Sequence, residues 1–184
     1  MVEERPGRDD SLDNTLIQRW KEGDERAATA LVERHGNALA RYVGSLGERE
    51  SADEVVQDTF IRAFASLESF RGESSLRTWL FTIARRLVVD RRRSNRRRRE
   101  VGSLEDVDVG TEYTALDTMI ASEAQQKVWG AVGKLSPTQR EVFLLRVNEG
   151  LSYKEIAEVA GTTEGAARVH YHNALRTVKE NLNE

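Results

Sequence analysis

The chain has 184 residues, with 28 Lys and Arg against 31 Asp and Glu and a formal net charge of −3, a length that allows one or two domains. It contains no cysteine, which excludes a disulfide framework and a thiolate metal site. No apolar run approaches the length of a membrane span, which excludes membrane insertion through such a helix.

Residues 1–10 are polar and acidic, unlike a secretory signal, and read as a flexible leader on a cytoplasmic protein. A first helix starts near Ser11 and turns Leu12, Leu16, Ile17 and Trp20 inward. Gly23-Asp24 breaks it, and Asp24 is placed to cap a second helix. That helix carries Ala28, Leu31, Val32, Leu39, Tyr42 and Val43 on one side and ends at Gly47. Ser51-Ala52-Asp53-Glu54 has the form of a capping box. It starts a third helix with Val55, Val56, Phe60, Ala63, Phe64 and Leu67 inward. Glu54, Gln57, Asp58 and Arg62 lie on its opposite face. Phe70-Arg71-Gly72-Glu73 is a tight connection.

From Leu76 an amphipathic helix places Leu76, Leu80, Ile83 and Leu87 on one stripe. Trp79 lies on or beside it and reads as core rather than as a stacking surface. The charge then changes abruptly. Residues 85–99 hold nine arginines and one acid, whereas residues 100–123 hold seven acids and no Lys or Arg. Such a basic end suits a polyanion, whatever the net charge of the whole chain. Arg96 to Arg99 read equally well as a solvated basic tail. The acidic stretch reads as an extended linker.

Helix resumes near Ser122, with Val128, Trp129 and Val132 inward. Ser136-Pro137-Thr138-Gln139 combines a capping box with proline at the first helical position. The helix it starts buries Val142, Phe143 and either Leu145 or Val147, and ends at Gly150. Ser152-Tyr153-Lys154-Glu155 is another capping box. A short helix over Tyr153 to Ala160 stops at Gly161, which accepts a left-handed turn. The last helix runs from about Thr163 to Leu182 with Ala167, Tyr171, Ala174, Val178 and Leu182 inward.

Two helices around a short glycine turn are a helix-turn-helix. The outward face of the second shows Glu164, Arg168, His172, Asn173 and Arg176. Arginine can pair with guanine and asparagine with adenine in the major groove. The amides at Thr163 and Glu164 can hold a phosphate. His170 and His172 are two apart and point to different sides of a helix, so no metal pair is expected. No nucleophile–base pair, carboxylate–histidine cluster or phosphate-binding glycine loop occurs, so neither an enzyme nor a cofactor is expected. The fold class expected is all-α: two small helical domains joined by an extended acidic linker, the second containing the helix-turn-helix.

Two stretches resemble the extracytoplasmic-function (ECF) sigma factors of bacterial RNA polymerase. One is Asp53 to Phe64 (DEVVQDTFIRAF) continued by Phe70 to Ala84 (FRGESSLRTWLFTIA). The other is Leu135 to Phe143 (LSPTQREVF) continued by Leu151 to Glu158 (LSYKEIAE). The likeness spans about Ser11 to Leu182. It implies a region 2-like domain over 11–95, a linker over 96–122 and a region 4-like domain over 123–184. The first domain would bind the β′ clamp helices of core polymerase through Glu54, Gln57, Asp58 and Arg62. It would melt the −10 promoter element through Phe70, Arg71, Gly72, Glu73, Ser74, Ser75, Arg85 and Arg86, with a flipped base in the loop. The second would bind the β flap and read the −35 duplex through Thr163, Glu164, Arg168, His172, Asn173 and Arg176. The resemblance also implies an anti-sigma partner. Many members carry Asn at the position of Arg86. The common Gly-Thr-Val-Lys-Ser-Arg is here Gly165-Ala166-Ala167-Arg168-Val169-His170, which keeps the charge of Arg168 and weakens the usual phosphate grip. The rival functions are a helix-turn-helix regulator that acts without polymerase, and an interaction module for an acidic protein.

Overall fold

The computed structural model describes residues 10–101 and 123–182, with side chains over 10–98 and 126–182. The expected leader, apart from Asp10, and linker residues 102–122 lie outside the described residues. The described residues form eight α-helices, a single 3-10 turn and no strand. The helices are α1 (Asp10–Lys21), α2 (Glu25–Ser45), α3 (Ala52–Ser66), α4 (Leu76–Val101), α5 (Glu123–Gly133), α6 (Pro137–Val147), α7 (Tyr153–Ala160) and α8 (Glu164–Leu182).

Local chemistry sets most helix ends. The Asp24 carboxylate accepts the Arg26 amide at 3.0 Å and caps α2. Ser136 and Ser152 each form the reciprocal capping box with Gln139 and Glu155, which satisfies amides that a helix start leaves free. Gly161 takes φ 64°, the left-handed conformation that ends α7. The box expected at Ser51 does not form. Its hydroxyl instead donates to Glu48 Oε2 at 2.9 Å, and no side chain caps α3. Ser75 supplies a cap that the sequence did not announce: its Oγ accepts the Thr78 amide at 3.1 Å at the start of α4.

Helix α4 is the axis of the molecule, with α2, α3 and α7 all packed on it. Leu76, Leu80 and Leu87 are buried as expected, and Phe81, Ala84 and Val88 are buried as well. A helix enclosed on more than one flank needs more than one apolar stripe. Its core is continuous with Val142, Leu145, Leu151, Ile156, Val159 and Ala167 from the second half of the chain. A smaller cluster, with Val132, Leu135, Phe143, Leu144, Ala174 and Val178, lies among α5, α6 and α8. Helix α4 continues to Val101, six residues into the segment expected as linker. Arginine is a good helix former, so the arginine block prolongs the helix.

Several residues expected inward are partly exposed: Leu12 is 40% exposed, Val32 38%, Val128 38% and Leu182 40%. Each lies at the margin of an apolar stripe, where periodicity resolves the buried side poorly. Of the two alternatives on α6, Leu145 is buried and Val147 is 50% exposed.

A polar contact joins α1 to α2. Asp13 Oδ1 accepts from Arg34 Nε at 2.8 Å and lies 3.0 Å from His35 Nε2. Burial opposes ionisation of Asp13, but the hydrogen bonds and charges of His35 and Arg34 outweigh it and hold the carboxyl below its usual value of 3.8. A lowered folded-state pKa means that stability is present above the unfolded value and is lost as pH falls through the folded one. Asp13→Ala is expected to cost about 1–3 kcal/mol, because it leaves the buried His35 Nε2 without this partner. Chemical denaturation from pH 7 down to pH 3 checks both points. The wild-type advantage over Asp13→Ala should shrink below about pH 4.

Candidate nucleic-acid interface

The loop between α3 and α4 stands at one end of the first domain. Arg71, Gly72 and Glu73 are exposed, and Phe70, Ser74 and Ser75 are half-buried. Gly72 has φ 70°, a conformation that suits glycine in a tight turn. The Phe70 and Trp79 rings lie 5.0 Å apart, tilted by 42°. The loop therefore combines short polar groups with a half-buried aromatic surface. Ser75 is committed to capping α4. Arg86 is exposed on α4, about three turns beyond the loop.

The other expected faces fall on separate surfaces. Glu54, Gln57, Asp58 and Arg62 are all exposed on α3, beside Ile61, which is 59% exposed. Arg91 Nη2 reaches Glu54 Oε2 at 2.7 Å, so this face borders the arginine end of α4. Thr163, just before α8, and Glu164, Arg168, His172 and Arg176 on it are exposed, and Asn173 is half-buried. The Thr163 hydroxyl accepts the Ala166 amide at 3.2 Å. Arg168 pairs with Glu164 at 3.2 Å, and its guanidinium carbon lies 4.9 Å from the centroid of the Tyr153 ring. Both arrangements hold the α8 face in place before any ligand arrives.

Arg85 lies elsewhere. It is drawn into a network between the two halves of the chain. Its Nε donates to Glu141 Oε1 at 2.8 Å, and the Tyr42 hydroxyl donates to the same oxygen at 2.7 Å. The Glu141 side chain is 8% exposed and that of Arg85 29%. Burial, and then the charge and hydrogen bond of Glu141, push the Tyr42 phenol well above its usual value of 10.0. Burial works against the Arg85 charge, but the bond and charge of Glu141 prevail and raise its value. Two further contacts follow along α4: Arg77 pairs with Glu149, and the Thr78 hydroxyl donates to Glu155 Oε1 at 3.1 Å. No local pattern could reveal these partners, because they are 56 to 99 residues apart along the chain.

A cleft of about 490 Å³ separates the Gly72–Leu76 loop from the start of α7. Asp10, Asp13, Glu73, Glu155 and Glu158 line it, against the single amine of Lys154. Among the described residues no group of three His, Asp or Glu is placed to hold a metal ion.

Residues 31–98 match the family model for Sigma-70 region 2, and residues 125–178 match that for Sigma-70 region 4. The chain therefore belongs to the sigma-70 family, among the ECF sigma factors. It is 33% identical over 179 residues to the ECF RNA polymerase sigma-E factor of Haemophilus influenzae, covering 92% of this chain and 95% of that protein. It is 30% identical over 175 residues to the sigma-E factor of Escherichia coli K12, covering 90% and 92%. Among solved structures it resembles CnrH in complex with the cytosolic domain of CnrY, with a TM-score of 0.67, 28% identity and coverage of 94% and 97%. It also resembles the sigma factor RpoE bound to the anti-sigma factor NepR from Bartonella quintana, with a TM-score of 0.65, 28% identity and coverage of 84% and 96%.

Removing the Tyr42 hydroxyl takes away a hydrogen bond to a buried charge, so Tyr42→Phe is expected to cost about 1.5–3 kcal/mol. A raised folded-state pKa contributes stability that is present below the unfolded value and is lost as pH rises through the folded one. Denaturant titrations should therefore show the wild-type advantage at pH 8 and its decline above about pH 10.

Proposed function

We propose that the first domain grips core RNA polymerase and opens the −10 element, while the second reads the −35 element as duplex. The observation that carries this is the exposed Arg71–Glu73 loop. It is backed by the Phe70–Trp79 ring pair and stands on the same chain as a helix-turn-helix with a polar outer face. A flipped base needs a short polar enclosure beside an aromatic surface, and the loop offers both. Arg86 supplies a nearby cation for the displaced strand. Glu54, Gln57, Asp58 and Arg62 form the polymerase-facing patch on α3. Thr163, Glu164, Arg168, His172, Asn173 and Arg176 form the duplex-facing patch on α8.

The protein does no bond chemistry in this scheme; polymerase does. Its work is to exchange base stacking for a captured base and phosphate contacts. It acts in the cytoplasm, where core polymerase and promoter DNA are found. An anti-sigma protein is the expected regulator. Support comes from two similar structures, each a complex, one of them named as sigma factor with anti-sigma factor.

Arg86→Ala is expected to lower open-complex formation about ten-fold or more, the scale of one lost base or phosphate contact. Core binding should be unchanged. Permanganate reactivity of the melted strand and co-purification with core polymerase measure the two effects. Asp58→Arg should do the reverse, with core association lost. If Arg86→Ala abolished core binding, the two faces would be wrongly assigned. Tight duplex binding without core, and no melting with it, would favour the polymerase-independent regulator.

A further inference from the structure

We propose that Val169 on α8 reads the C5-methyl group of a thymine in the −35 major groove, and so fixes one base of the promoter by an apolar contact. This rests on the duplex-reading role proposed above and adds a specificity-determining residue to it. Val169 is 57% exposed, so packing within the protein does not explain an apolar side chain there. Valine is also a poor choice for an exposed helical position, because its branched Cβ loses rotamer freedom against the preceding turn. Its place on the helix gives it a use. Ala167, Ala174 and Val178 are the buried residues of α8. At about 100° per residue, each lies about 140–180° around the axis from Val169. Val169 therefore stands at the crest of the face turned away from the protein.

Its neighbours leave that crest open. One turn before it is Gly165, where an added Cβ would meet nothing within 4 Å, so bare backbone adjoins the valine on that side. One turn after it is the half-buried Asn173, and the exposed Arg176 follows nearly a turn later. Arg168 stands about a quarter turn away, on the flank. Its guanidinium carbon is 4.9 Å from the centroid of the Tyr153 ring, and it pairs with Glu164. A cation held on the flank suits a backbone phosphate, whereas the crest suits a base edge. In the major groove thymine alone presents a methyl group, beside the donors and acceptors of the other bases. Against those groups a valine removes water and returns no hydrogen bond. The contact that accepts thymine therefore disfavours its rivals.

The test uses the full chain with core polymerase. A promoter library randomised across the −35 element gives the preferred sequence. Each thymine in it is then replaced in turn by deoxyuridine, which removes only the methyl group. For wild type, one such replacement should weaken promoter binding about four-fold, the scale of one buried methyl. Val169→Ala removes both valine methyls and places a better helix former on the surface. It should bind the thymine and deoxyuridine promoters alike at that position, and selection with it should lose the thymine preference there. Replacements at other thymines should affect wild type and variant equally. The full deoxyuridine penalty retained in Val169→Ala would overturn the contact alone. So would a −35 preference in which no thymine responds to loss of its methyl. Weaker core association of Val169→Ala with an unchanged penalty would overturn it too, and would assign the valine to a protein interface. Selection with a −10 preference but none at −35 would overturn the duplex-reading role and the contact together.

Discussion

One oxygen of Glu141 receives both the Tyr42 hydroxyl and the Arg85 guanidinium, and the arrangement of the two halves turns on that point. A carboxylate left alone at this depth would be costly. Two donors from the first domain make its burial tolerable only in one register. The polar network is not the main source of cohesion, because desolvation offsets much of what a buried ion pair gains. Apolar burial supplies that, at about 1.5–3 kcal/mol for each large side chain enclosed. Leu80, Phe81, Leu145, Leu151 and Ile156 are each at most 1% exposed within a single cluster. The apolar core holds the halves together, and the contacts of Glu141, Glu149 and Glu155 with α2 and α4 fix how they sit.

Helix α4 links this packing to function. Its start is fixed by Ser75, its middle is enclosed by α2, α3 and α7, and its end carries arginine to Val101. The first two arginines after Asp90 are partnered: Arg91 reaches Glu54 and Arg92 lies 3.5 Å from Glu48. Along one helix the chain thus presents the loop proposed to capture a base, a cation engaged by the second half of the chain at Arg85, an exposed cation at Arg86 and a polybasic end. The order matters because specificity needs fixed geometry. Only the part of α4 before the arginine block is held by packing on several sides.

Features set by neighbours in sequence were legible without coordinates. The boxes at Ser136 and Ser152, the Asp24 cap and the left-handed Gly161 depend on contacts within a few residues, and each is present. Ser51 shows the limit of that logic, because Glu48 competes for the same hydroxyl from the preceding loop. The stripe on α4 was half legible. Leu76, Leu80 and Leu87 announce themselves by period, whereas Phe81 and Ala84 need a second packing surface to explain them. Tyr42 was assigned to the core by its spacing on α2. Its hydroxyl partner lies 99 residues away, and no local pattern could supply it. Arg85 stood out by charge, but charge alone points equally to DNA and to a buried glutamate.

As a sigma factor, this chain directs polymerase to a start site. The most direct measurement of that is the mapping of RNA 5′ ends made by sigma-free core polymerase on a promoter library, with and without the protein. The 5′ ends should fall at a fixed distance from a shared pair of sequence elements, and only when protein and core are combined. Unchanged 5′ ends on adding the protein, together with tight binding to duplex DNA in the absence of core, would contradict it.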